Sequence, residues 1–408
     1  MTPLNPEPRV DGRNTGAESP LYLDKNLYVI VSITLMAVMG VSSITPVFPA
    51  VVDAFGIPPE AVGLLITVYA LPGIFLTPLF GALADRLGRK QVLVPALILF
   101  ALAGSACSLT RDFQVLLILR FFQGVGGASL GSLTATLIGD LYREERRTEA
   151  MGYKASVLSM GSAVYPSLGG GLAVFGWYVP FAMPIVGLLV ALVVLFKLDL
   201  EPTPKEGGFL TYLGEAWSGM KTRKVLGLYL ATLLSFTVLY GAYMTFIPLY
   251  LADRFGSSPI SIGPIMTIGS LATAVTASRL KPLSRIIPQE RLLPLAFLFF
   301  GISFIIIPWL PGHWWVGVAV GIFGVGQALN YPVVLTLLAK AAPGSNRGIF
   351  MSVNGMVIRI GQAMGPVIMA GVFALGGMET VFFAACGISL LVGLGLPFFL
   401  GTGKAHTA

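Results

Sequence analysis

Asp53-Ala-Phe-Gly-Ile-Pro-Pro-Glu-Ala-Val-Gly63 returns 200 residues later as Asp253-Arg-Phe-Gly-Ser-Ser-Pro-Ile-Ser-Ile-Gly263. Asp, Phe, Gly, Pro and Gly keep their places, and Thr67 and Thr267 extend the match. The same offset carries Gly124, Gly126, Thr136 and Leu137 onto Gly324, Gly326, Thr336 and Leu337. It also carries Arg147, Met151, Gly161, Ala163, Pro166 and Gly171 onto Arg347, Met351, Gly361, Ala363, Pro366 and Gly371. Glycine and proline dominate the shared positions, so the repeat preserves backbone shape. The chain is two copies of one plan, and functional differences belong where their charges diverge.

Hydrophobic residues make up 55% of the chain and charged ones 11%, against roughly 25% charged in a soluble domain. The chain therefore belongs in a bilayer, where spanning helices of about 20 residues are expected. Apolar runs predict spans near 27–50, 60–82, 91–109, 113–140, 149–175 and 177–197, then near 225–251, 260–280, 291–310, 314–340, 347–375 and 379–401. The expected fold is an all-α membrane protein: twelve transmembrane helices in two pseudo-symmetric six-helix bundles, residues 25–200 and 222–401. A flexible tail (1–26) precedes them. The first apolar run is too long for a signal peptide and should remain as a helix. The linker 198–224 places Phe209, Leu213, Trp217 and Met220 on one face, predicting a short helix on the membrane surface. A disordered linker is the alternative.

Of the 26 Lys and Arg residues, all but four fall on one side of this topology, Lys154 being counted with the loop before span 5. Arg111 and Arg254 occupy loops on the other side, and Arg120 and Arg359 lie inside spans. The positive-inside rule then puts both termini in the cytoplasm. The net charge of +7 is thus a topological signal and does not call for nucleic acid. Cys107 and Cys386 are far apart, and the two histidines, His313 and His406, lie in an outer loop and the tail. Neither a metal site nor a cofactor is suggested. Two membrane-embedded repeats are the pattern of a secondary transporter, with its site where the halves meet.

After span 2 comes Gly81-Ala-Leu-Ala-Asp85-Arg86-Leu-Gly88-Arg89-Lys90. Asp85 ends a helix, where the macrodipole disfavours negative charge, so it needs a cationic partner. This run resembles the loop between spans 2 and 3 of the major facilitator superfamily, in particular its twelve-span drug:proton antiporter branch. Gly40, Pro46, Val47 and Pro49 resemble that branch's first-span motif. Arg120, Gln123 and Gly124 resemble its fourth-span motif, and Gly161, Pro166, Gly169 and Gly170 its antiporter motif in span 5. Tyr165 stands where the family usually has Gly before the proline, which weakens the assignment of antiport. The resemblance implies that Asp85 pairs with Asp140 and Arg347 across the cytoplasmic face, with Arg89 as local partner. The repeat adds independent support, since Asp85 corresponds to Arg285 and Asp140 to Lys340. Opposite charges at equivalent places would latch the cytoplasmic ends together in an outward-facing state.

No Asp or Glu lies inside the expected spans, so Arg120 and Arg359 each require an explanation. Arg120 is either a gating residue, as the motif implies, or a structural one bonded to carbonyls of span 1 or 2. Arg359 lies near the midplane and its repeat counterpart is Ser159. Gln362 shares its face; Gln327, Asn330 and Tyr331 share one on span 10. Asn354, Tyr69, Tyr165, Tyr240 and Tyr243 are further candidates for an amphipathic cavity wall. A positive cavity without carboxylates favours anionic or neutral amphiphiles over cations. Asp85, Asp140 and Asp53 remain as groups that could couple transport to protons, and uncoupled transport stays open. Gly127-Ala-Ser129-Leu-Gly131 fits a nucleophile pattern but sits mid-span without strand, turn or histidine, so it reads as a packing ridge. The expected activity is export of drugs or other amphiphiles by a monomer in the cell membrane. The alternatives are export of an anionic metabolite, sugar or lipid, uptake, or a receptor that binds without flux.

Overall fold

The computed structural model describes residues 21–142, 144–198, 221–342 and 347–401. Residues 1–20 of the expected tail and the expected surface helix of the linker lie outside the described residues. The long apolar helices are α1 (Lys25–Phe55), α2 (Pro59–Leu87), α3 (Arg89–Ala106), α4 (Phe113–Leu141), α5 (Arg146–Phe175) and α6 (Val179–Lys197). The second half repeats them as α7 (Arg223–Phe255), α8 (Pro259–Ser278), α9 (Gln289–Trp309) and α10 (His313–Ala341). A last continuous stretch, Arg347–Leu400, is broken by Gly377 at φ 78° and ψ −165°. Gly377 divides it into α11 (347–376) and α12 (378–400). Among the described residues, eleven apolar stretches, the last divided at Gly377, thus give twelve crossings.

The repeat motif explains itself locally. α1 and α7 both end on a left-handed glycine, Gly56 at φ 59° and Gly256 at φ 60°, which an L side chain resists. Pro59 and Pro259 then open the next helix, where a missing N–H costs nothing. Close packing is repeated too. A Cβ on Gly126 would lie 2.5 Å from the Ala96 carbonyl oxygen, and one on Gly326 2.7 Å from that of Ala296. Asp24 caps α1 by accepting from the Asn26 N–H, and Asp112 caps α4 by accepting from Gln114 and Val115.

The two ends of the bundle differ in charge. One end, here the basic face, carries Arg86, Arg89, Lys90, Arg146, Arg147, Arg279, Lys281, Arg285 and Lys340. At the opposite face the halves pack through α2 against α11 and α5 against α8. Thr67 Oγ1 donates to the Ala363 carbonyl at 2.8 Å, and Thr267 Oγ1 to the Ala163 carbonyl at 2.6 Å. Those two bonds are related by the 200-residue offset. Pro366 covers Gly63, and the Pro166 carbonyl covers Gly263, by the same relation. Ser167 and Thr267 share a 2.8 Å hydrogen bond, and Ser270 donates to the Ser162 carbonyl at 2.9 Å. Ser270 is eleven residues into α8, about 16 Å from its start at 1.5 Å per residue. Among the described residues, the hydrogen bonds between the halves run from this face to about the middle of α8.

Candidate functional site

The middle of the molecule is organised by α11. Arg359 is half-buried, and its Nη1 donates to Gln362 Oε1 at 3.1 Å, one turn along. Its stem lies against α2 of the other half, since a Cβ on Gly73 would be 3.0 Å from the guanidinium Nε. Tyr69 of α2 and Tyr240 of α7 lie within electrostatic reach of the same charge. Tyr240 stacks on Phe236 at 6.1 Å, and Tyr331 of α10 meets Phe236 edge-on at 5.8 Å. Arg359, Gln362, Tyr69, Tyr240 and Tyr331 therefore converge from four helices and both halves. Gln327 and Asn330 of α10 are near in sequence to Tyr331, and both bury amide atoms that have no partner among the described residues.

Other candidates are placed apart. Asn354 is buried and accepts from Thr232 Oγ1 at 2.9 Å, inside the second bundle. Tyr243 stacks on Phe323 at 4.5 Å and donates to the Met266 carbonyl at 3.3 Å. Tyr165 is buried beside Gly161, where the side chain of Leu35 from α1 also packs. Asp53 is exposed at the end of α1.

Arg120 is wholly enclosed. Nε donates to the Leu65 carbonyl of α2 at 3.2 Å, Nη2 to the Gly40 carbonyl of α1 at 2.9 Å, and Nη1 to Gln123 Oε1 at 2.6 Å. Its guanidinium also lies 4.9 Å from the ring centre of Tyr69. One side chain thus ties α1, α2 and α4 together.

At the basic face Arg89 is 9% exposed and joins two acids. It is paired with Asp85 one turn back, and its Nε donates to Asp140 Oδ2 at 3.1 Å. The second half repeats the link with other chemistry: Lys340 Nζ donates to Gln289 Oε1 at 2.8 Å. Arg89 and Gln289 are repeat equivalents, as are Asp140 and Lys340. The side chain of Arg347 lies outside the described residues.

One cation is placed differently from the charge tally. Lys154, inside the expected span 149–175 but counted with the basic face, lies within α5 (Arg146–Phe175). Its Nζ donates to the Gly131 carbonyl of α4 at 3.2 Å. It sits near the polar start of the helix, Arg146 to Glu149, so the tally grouped it with those charges. The seam threonines Thr67 and Thr267 also escaped notice as functional groups, although their recurrence in the repeat marked them.

The Major Facilitator Superfamily model matches residues 30–322 and 280–407. Quinolone resistance protein NorA of Staphylococcus aureus (strain MSSA476) is 23% identical over 377 residues, covering 90% of this chain and 95% of NorA. Multidrug resistance protein 2 of Bacillus subtilis (strain 168) is 25% identical over 388 residues, covering 91% and 94%. Among solved structures, that of a point mutant of the nucleoside transporter NupG superposes with a TM-score of 0.78 at 13% identity, covering 92% of this chain and all of NupG. Paired repeats, twelve crossings, a seam between halves and a family match across the chain lead to one conclusion: this protein is a transporter of the Major Facilitator Superfamily.

Proposed function

We propose that the protein exports amphiphilic small molecules by rocking residues 25–200 against 222–401 about the Arg359 cluster. The observation that carries this reading is the uneven seam: among the described residues, cross-half hydrogen bonds run from one face to about the middle, where the polar cluster lies. The positive-inside rule assigns the basic face to the cytoplasm, so this arrangement is open inward and sealed outward. Relatives named for quinolone and multidrug resistance support efflux as the direction. The protein then acts as a monomer in the cell membrane with both termini inside.

The basic-face charges fit a latch for the opposite state. Asp85, Asp140 and Arg89 in the first half would face Arg285, Lys340 and Arg347 when the inner ends close. Asp85, Asp140 and Asp53 are also the acids through which protons could couple to transport.

A positive central site gives the second reading, export of an anionic metabolite or lipid. Arg359 meets Gln362 and tyrosines, and every acid of the described helices lies near a helix end. A thermal-shift series on the purified protein separates the two readings, because a ligand that binds only the folded state raises its stability. Anionic, neutral and cationic amphiphiles of one shape are compared on wild type and Arg359→Gln. Stabilisation by anions that vanishes in Arg359→Gln favours the anion reading; equal stabilisation of both proteins by cations favours cationic multidrug export. Flux in proteoliposomes then tests transport itself, and binding without flux would overturn it in favour of a receptor.

A further inference from the structure

We propose that Lys154 is a second anion anchor, placed to capture the acidic group of an amphiphile on its way from the basic face to Arg359. The inference rests on the transporter reading above and adds to it the residue that selects ligand charge.

Lys154 is under-used by the protein. Its ammonium has three donors, and its partner among the described residues is the Gly131 carbonyl at 3.2 Å. That same oxygen already accepts from Thr134 Oγ1 at 2.9 Å. A charge inside a span held by one shared neutral acceptor is costly, which makes a functional use the default reading.

It also points at space. Lys154 and Gly161 are seven residues apart and share a face of α5; Gly161 packs on Leu35 of α1, so this face looks into the bundle and not to lipid. On α4, Gly127 presses against the Tyr69 hydroxyl, whereas Gly131, one turn nearer the basic face, has no atom within 4 Å of where a Cβ would sit. On α2, Thr77 bonds the Ala128 carbonyl at 3.1 Å, and Gly81, one turn further, again has nothing within 4 Å. Below the Thr77–Ala128 bond both Gly81 and Gly131 thus face open space, and Lys154 bonds the Gly131 carbonyl at its edge.

The repeat relates the two cations. The counterpart of Arg359 on α5 is Ser159, five residues beyond Lys154, or about 7.5 Å along the axis. One positive charge on each of two equivalent helices, staggered in depth, makes a two-step path for an anion. Lysine is a point charge on a flexible stem, so the step selects charge more than shape. The ligand class is an amphiphile with one carboxylate or sulfonate.

The test uses full-length protein in detergent and three fluorescent probes: a naphthalene sulfonate, the matched neutral sulfonamide and the matched trimethylammonium. Lys154→Met is expected to weaken sulfonate binding about tenfold, a shift of about 1.4 kcal/mol, with sulfonamide affinity unchanged and Lys154→Arg restoring most of the loss. Lys154→Gln serves if the Met variant does not fold. Wild-type sulfonate affinity in Lys154→Met or Lys154→Gln, or equal loss of sulfonate and sulfonamide, overturns the proposal. Flux of the neutral probe in proteoliposomes fails only if the transport reading fails, so the two failures are told apart.

Discussion

Arg120 and Arg359 are the same side chain with the same partner three residues on, Gln123 and Gln362, yet they do opposite things with it. Arg120 places its remaining donors on two carbonyls from α1 and α2 and lies over an aromatic ring, fully enclosed. Among the described residues Arg359 makes one hydrogen bond, and it touches the other half through Gly73. A membrane protein accepts the cost of a buried cation for two distinct returns. Where each guanidinium nitrogen has an acceptor within one bundle, the residue is architecture. Where donors remain spare and the neighbours belong to both halves, it is available to a ligand.

The contrast can be broken most directly at Arg120. Arg120→Leu removes a partner from the Gly40 carbonyl near the end of α1's first helical segment and from the buried Gln123 amide, at about 1–3 kcal/mol for each group left unsatisfied. Thermal unfolding in detergent should show a loss of about 3 kcal/mol or more; stability equal to wild type would remove the architectural role. Arg359→Gln should behave in the reverse sense, with the melting temperature nearly unchanged and affinity for an anionic probe down about tenfold, about 1.4 kcal/mol. A large drop in stability with intact binding would make the two arginines alike.

While Arg120 holds its own bundle rigid, movement between the halves falls on the seam. Thr67→Val with Thr267→Val removes both equivalent bonds, each worth about 0.6 kcal/mol by measured interhelical averages. Cysteines placed near Asp53 and Asp253 should label faster in that double variant; unchanged labelling would show that the seam does not govern access. Smallest is Asp85→Asn. Asp85 is 39% exposed, so its pair with Arg89 contributes well under about 1 kcal/mol after screening. Loss of the latch should favour the inward-open state, and equal labelling of both faces with and without the change would sink that role.

The fold was legible because repetition and hydropathy are written in residue types. Gly56, Pro59 and Gly126 recur at fixed distance, and the backbone they require recurs with them. The break between the expected spans 347–375 and 379–401 falls on Gly377, a single residue at positive φ that separates α11 from α12. The central cluster was half legible. Arg359, Gln362, Tyr240 and Tyr331 could be named from polarity inside apolar runs, but helical periodicity alone could not say that Tyr243 and Asn354 turn into their own bundle. Those two depend on partners, Phe323 and Thr232, that are distant in sequence. Lys154 fell inside the expected span 149–175, but its closeness to the charged helix start grouped it with the basic face and not with Arg120 and Arg359.

The paired seam has a consequence for ancestry. Each half supplies one hydroxyl donor, Thr67 or Thr267, and one carbonyl acceptor, Ala163 or Ala363, at matching positions. Such an arrangement is isologous, the pattern of a twofold homodimer in which the same patch meets itself. A single six-helix half therefore already carries both parts of the closure. Two identical copies could have formed the same seal before any fusion, and each substitution in that ancestor would have counted twice.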